Sequence, residues 1–319
     1  MPKSFKPIDL KNLTTYPIAN RKSKVSIKDF AEVWEKGGKF ADFLKSLPGI
    51  LAAEDILSVI SAISYAFKNK RSVILGMGAH VIKVGLNPVI IDLMQRGIIT
   101  GIAMNGAGII HDSELAMIGQ TSEDVAASIG NGSFGMASET GKMLTEAVKM
   151  AQAMDLGLGE AVGRMILEKE LPLAGHSILA VSAQLGIPVT VHMAIGTDII
   201  HMHPDFDPEA AAGASHLDFR TFASMVASLE GGVYINVGSA VILPEVFLKA
   251  ITLVRNLGHR PKRFTTVNMD FVRHYRPMTN VVHRPTMDGG RGINLVGHHE
   301  IMLPLIAAGV IEQIEEKQS

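Results

Sequence analysis

The chain has 319 residues, 47% hydrophobic and 19% charged, with 30 Lys and Arg against 31 Asp and Glu. A near-neutral balance without a basic tail argues against general nucleic-acid and membrane-surface roles, and 5% aromatic residues leave no stacking platform for single strands. The absence of cysteine removes disulfides, thiolate metal sites and cysteine nucleophiles, which together with a polar amino end and no bilayer-length apolar run suits a cytoplasmic protein.

In chain order, residues 1–26 are polar and proline-bearing, an arm that would lie on the body or on a neighbouring subunit. Ile27 to Leu47 reads as an amphipathic helix through Ile27, Phe30, Val33, Trp34, Phe40 and Leu44, stopped by Pro48-Gly49. Glu54 to Lys68 reads as a second helix. Residues 1–70 thus form an arm and helical extension ahead of a larger unit, 71–319.

That unit opens with a short β-branched run, Ser72 to Leu75, followed by Gly76 and Gly78 where a strand turns into a helix. The helix is expected from His80 to Arg96, closed by Gly97. A second strand, Ile98 to Met104, meets another glycine turn, Asn105-Gly106-Ala107-Gly108. A strand–helix–strand crossover with glycine turns at both strand ends is where open α/β sheets bind nucleotides. The same glycines would also serve close packing of helix on strand. The segment GMGAHV lacks the third glycine of the dinucleotide fingerprint, and no acid ends the second strand.

Short helices are expected over Asp112 to Gln120 and Ser122 to Ile129. The glycine loop 130–135 is either a phosphate-contacting lid or an exposed connection. Helices then follow at Ala137 to Met154, Glu160 to Glu170 and Ser177 to Leu185, and a strand at Ile187 to Met193. Beyond it lies Gly196-Thr197-Asp198-Ile199-Ile200-His201-Met202-His203-Pro204-Asp205. The His201/His203 pair with its acids invites a metal. The alternatives are a ligand-side loop using Asp198 or His203, or a solvated loop. A helix from Asp218, a strand Val233 to Val237 with the turn Gly238-Ser239-Ala240, a helix Leu243 to Leu257 and a strand Phe264 to Met269 come next. The following stretch holds Arg273, His274, Arg276, His283, Arg284, Arg291, His298 and His299 against Asp270, Asp288 and Glu300. Such a cluster suits carboxylate or phosphate recognition, or a subunit interface. An apolar helix, Met302 to Ile311, and a charged tail close the chain.

From about Arg71 to Gly309, this order of segments resembles deoxyhypusine synthase. GMGAHVIKVG, with Gly78, Ala79 and His80, is similar to the family's strand and NAD turn. In IAMNGAGIIHD, Asn105, Gly106, Gly108 and Asp112 sit at a second glycine turn, with His111 where the family has glutamate. Thr197 and Asp198 match a threonine-aspartate at the end of another strand, and Gly238 with Ser239 a further glycine-rich turn. The resemblance implies an α/β, Rossmann-like, mainly parallel open sheet, an NAD cofactor, a homotetramer, and a transferase that moves an aminobutyl group from spermidine to a protein lysine. Asn294, however, stands where the family's imine-forming lysine belongs, and an amide forms no imine. Arginine and histidine also replace the acids of a polyamine tunnel.

The expectation is therefore a deoxyhypusine-synthase-like NAD-binding enzyme acting on a small, anionic molecule. Arg276, Arg284, Arg291 and Asn294 would hold the substrate, with His203, His111 or Glu245 as acid or base. The alternatives are a non-catalytic nucleotide sensor or scaffold, and a metal-dependent hydrolase built on His201 and His203.

Overall fold

The computed structural model describes residues 4–315, so the ends of the expected arm and tail, 1–3 and 316–319, lie outside the described residues. Six strands form one parallel sheet: β1 (Val73–Met77), β2 (Gly101–Asn105), β3 (Val189–His192), β4 (Val233–Val237), β5 (Thr265–Asp270) and β6 (Arg291–Val296). Their order across the sheet is β3-β2-β1-β4-β5-β6, the doubly wound Rossmann arrangement. The strands β1 to β5 are buried almost throughout, as parallel strands covered on both faces must be.

Helices α1 (Phe40–Ser46) and α2 (Leu51–Lys68) precede β1. After it come α3 (His80–Lys83) and α4 (Asn87–Gln95), and after β2 come α5 (Gly106–Ile118), α6 (Val125–Ser128), α7 (Ser138–Met154), α8 (Leu158–Glu168) and α9 (Ile178–Leu185). Helix α10 (Pro208–Ala227) joins β3 to β4, α11 (Ile242–Asn256) joins β4 to β5, and the one-turn α12 (Tyr275–Pro277) runs into a π-helical turn, Met278–His283. Helix α13 (His299–Glu315) follows β6.

One face of the sheet packs Val73, Leu75, Ile235 and Met269 against Ile63 of α2, Leu93 of α4 and Leu303 of α13. On the other, Tyr234 stacks on Phe247 of α11 at 3.9 Å and meets Phe222 of α10 edge-on at 6.0 Å. Connections after β1 and after β4 thus leave on opposite faces, which opens a crevice at the carboxyl ends of these two central strands. Among the described residues no helix is long and apolar enough to cross a membrane.

Three expectations are corrected. The helix foreseen from Ile27 exists only as α1, because residues 27–39 pack no apolar face and Gly37 takes φ 93°. The helix from His80 to Arg96 breaks at Gly85, at φ 78°, and restarts at Asn87-Pro88. The edge strand β6 was not foreseen at all, since RGINLV opens on Arg-Gly and is only half buried.

Candidate functional site

At the central crevice the β1 and β4 turns touch backbone to backbone. Gly78 N donates to Val237 O at 2.9 Å, and a Cβ on Gly78 would fall inside the Gly238 carbonyl. Gly238 itself takes φ 64°, and a Cβ there would meet His299 Cε1 at 2.8 Å. Beneath this turn runs a rung of amides in register across three strands. Asn236 donates to Ser239 O at 2.9 Å and to Asn268 at 2.8 Å, and Asn268 donates to Asn294 at 2.9 Å. Ser239 Oγ in turn accepts from Leu243 N at 3.1 Å and starts α11. Asn294 thus ends a ladder that holds the Gly238 turn in place.

Over the same end lies a layer of rings that sequence reasoning saw only as part of a basic stretch. His299 is buried, 3.8 Å from Asp270 Oδ1, with neither ring nitrogen hydrogen-bonded. Burial lowers its pKa, against the pull of Asp270, so the ring stays neutral near pH 7. The exposed His80 lies edge-on to it at 5.6 Å, and Phe271 stacks on His298 at 6.1 Å. The signal available in the sequence was Gly297-His298-His299, but only a recognised β6 would have put it at a strand end.

The second glycine turn is occupied from an unexpected quarter. Asp198, from the loop after β3, folds back onto the first turn of α5, where its carboxylate accepts from Ala107 N and where any Cβ on Gly106 would collide with it. Its Oδ2 is buried without a partner, and burial pushes the carboxyl up to about 6. The acid missing from the end of β2 is therefore supplied across the sheet. Gly108 sits against Met104, while Asn105 Oδ1 is buried without a partner.

His201 and His203 do not converge. His201 Nδ1 accepts from Gly196 N and Asp198 N, both at 3.3 Å, and His203 Nε2 donates to Gly135 O at 3.1 Å on the glycine loop. Thr197 Oγ1 donates to Ala194 O at 2.8 Å. Among the described residues no group of three or more His, Asp or Glu side chains could hold a metal ion.

Asp218 on α10 is another acid raised by burial, as the buried Asp112 also is; Asp218 is pushed up to about 7 while it accepts from Val191 N at 2.8 Å and Gly159 N at 3.0 Å. A carboxyl raised on folding stabilises fully below its unfolded value of 3.8 and loses that stabilisation as pH rises through the folded value. For Asp198 the loss is up to about 3 kcal/mol. Stability measured from about pH 4 to 8 should therefore fall, and Asp198→Asn should remove the part of the fall that is complete by about pH 6. An unchanged profile in that variant would mean that Asp198 is not buried as described.

Two expected site residues, the cofactor-binding candidate Asp112 and the acid–base candidate His111, are bonded within the fold. Asp112 is wholly buried and accepts from Ser177 Oγ (2.5 Å), Ile178 N (2.9 Å), Leu179 N (3.0 Å) and Asn87 Nδ2 (2.9 Å), so its role is to start α9. His111 bonds Thr121 at 2.7 Å, and burial and Lys83 lower it to about 4.

Of the arginines, Arg276 approaches Glu245 at 3.4 Å, and Arg284 donates at 2.9 Å to Asn280, which itself donates to Glu245 at 2.9 Å. Lys249 also pairs with Glu245. Three cations thus surround one carboxylate, in the first turn of α11 beside the crevice, and draw the Glu245 pKa down. Arg291 opens β6, at the amino end of the sheet, and donates to Ser58 at 2.9 Å. Its guanidinium is thus engaged on α2 rather than at Glu245.

No family model matches the sequence, and no curated protein matches it. Solved structures do. An LOR/SDH-type protein from Methanococcus maripaludis S2 gives a TM-score of 0.51 at 14% identity, over 87% of this chain and 71% of that one. A protein from Entamoeba histolytica, assigned as a deoxyhypusine synthase, gives 0.50 at 13% identity, over 88% and 96%. The complex of AgrE with ornithine and NAD+ gives 0.54 at 12% identity, over 82% of this chain but 34% of AgrE. At such identities the likeness establishes a shared Rossmann-like fold.

Proposed function

We propose that the crevice between the β1 and β4 turns binds NAD, and that the protein is an enzyme acting there on a small anionic molecule. The observation that carries this reading is Asp198. A dinucleotide fold requires an acceptor for a ribose hydroxyl near the end of its second strand, and Asp198 Oδ2 is a buried acceptor at that place with no partner. The glycine turns at Gly78, Gly106 and Gly238 admit no side chain, since a Cβ at each would meet the Gly238 carbonyl, Asp198 or His299. AgrE, of similar fold, binds NAD+ and ornithine in its own complex, which supports a nucleotide here without naming the substrate.

The excess of cations around Glu245 favours an anion. Arg276→Ala and Arg284→Ala should each weaken binding of a carboxylate or phosphate probe about tenfold, near 1.4 kcal/mol, while Arg291→Ala should leave it unchanged. Calorimetry with malate, a sugar phosphate and spermidine checks this. If spermidine alone binds, or if Arg291→Ala matches the others, the assignment fails. Deoxyhypusine synthesis itself does not fit, since Asn294 is committed to the amide ladder and forms no imine.

A non-catalytic nucleotide sensor is the second reading. It is favoured by His203, His111 and Glu245, each of which is already engaged in local bonds. Turnover of hydroxy and amino acids with NAD, followed at the nicotinamide absorbance, separates the two.

A further inference from the structure

The arm has the properties of a surface made to be covered. Apart from the half-buried Asp29, every described residue from Ser4 to Lys39 is exposed, among them Phe5, Ile8, Leu10, Tyr16, Ile18 and Ile27. Among the described residues, the hydrogen bonds of residues 4–28 reach only near neighbours in the chain. The arm is tied down only beyond them, where Gly49 N donates to Asp29 O at 3.1 Å, Glu32 N donates to Ser46 O at 2.9 Å, and Trp34 meets Phe43 at 5.8 Å. Exposed apolar side chains at this density mark an interaction surface.

Charge indicates the partner. Residues 1–39 hold nine Lys and Arg against four Asp and Glu, a net of +5. From Gly106 to Ala227, α5 through α10, fifteen acids face five bases, a net of −10. Within that unit the segment 118–136 exposes Ile118, Val125, Ile129 and Met136 beside Glu123 and Asp124. It is apolar and acidic where the arm is apolar and basic. The arm is rooted at α1, which packs on α13, the helix that follows β6, and β3 with the acidic helices is the opposite edge strand of the sheet.

We propose that the arm of one copy of this chain lies across the acidic, apolar segment 118–136 of a second copy. Apolar contacts supply the hold, and the opposite charges set register and speed association. The interface is then sensitive to salt, as exposed charge pairs are.

The chain contains no cysteine, so an introduced pair reports without background. The experiment mixes light Ser23→Cys chains with isotopically heavy Ile129→Cys chains, oxidises them, and weighs the products. Both positions are exposed, so the fold is left undisturbed. The expected product is a light–heavy disulfide dimer that forms far faster than light–light or heavy–heavy pairs. A second full-length variant, Lys22→Glu with Lys24→Glu and Lys28→Glu, should raise the dissociation constant of the oligomer at least about tenfold by sedimentation. A monomeric wild-type chain overturns the proposal. So does the absence of preferential light–heavy linkage, or an association that the charge reversal leaves untouched.

Discussion

Replacing Asp112 by alanine is expected to cost roughly 3–5 kcal/mol of stability, the range for breaking a buried charged network. The carboxylate starts α9 from inside the core, and its loss leaves the amides of Ile178 and Leu179, the Ser177 hydroxyl and one Asn87 bond without an acceptor. Each orphaned donor costs about 1–3 kcal/mol when no water can reach it. Asp112→Asn keeps one acceptor but turns an amino group toward other donors, so its loss should be intermediate. Urea unfolding with unchanged slope and a lower midpoint is the readout. If Asp112 were instead a cofactor ligand, alanine would leave stability nearly intact and weaken NAD.

Gly78→Val is the second large effect. The new Cβ would overlap the Gly238 carbonyl, which is backbone and cannot swing aside. The turns that define the crevice would have to separate, at about 3 kcal/mol or more by the usual cost of overpacking. Because Gly238 also lies against His299, the displacement would reach the ring layer above β5 and β6. Loss of nucleotide binding together with a lower melting temperature is the expected outcome. A variant as stable as wild type would contradict the close contact of the two turns.

Much of the fold was legible because parallel strands covered on both faces are short apolar runs between glycines. Val233 to Val237 is found as read, and Phe264 to Met269 differs by one residue at each end. What stayed hidden needed contacts distant in sequence. β6 is an edge strand with a mixed pattern, and its recognition depends on Asn268 meeting Asn294. Asp112 and Asp198 both appeared as acids near glycine turns. Only the packing separates them, since one carboxylate is saturated by α9 and the other keeps a bare oxygen at α5. For the arginines, proximity in sequence could not reveal that Arg291 begins a strand and donates to Ser58 while Arg276 and Arg284 gather near Glu245. Trp34 was read on the apolar face of an amphipathic helix, but it is half exposed on Phe43 in the arm.

Calorimetric titration of NAD into the wild-type chain and into Asp198→Ala decides whether the crevice is a nucleotide site. Saturable binding at one site per chain is expected, weakened about tenfold or more in the variant, near 1.4 kcal/mol, because a buried acceptor for the ribose is gone. Asp112→Asn, if folded, should bind as wild type does. No heat from NAD or NADP up to millimolar concentration, or equal affinity in Asp198→Ala, would contradict a nucleotide site at this crevice.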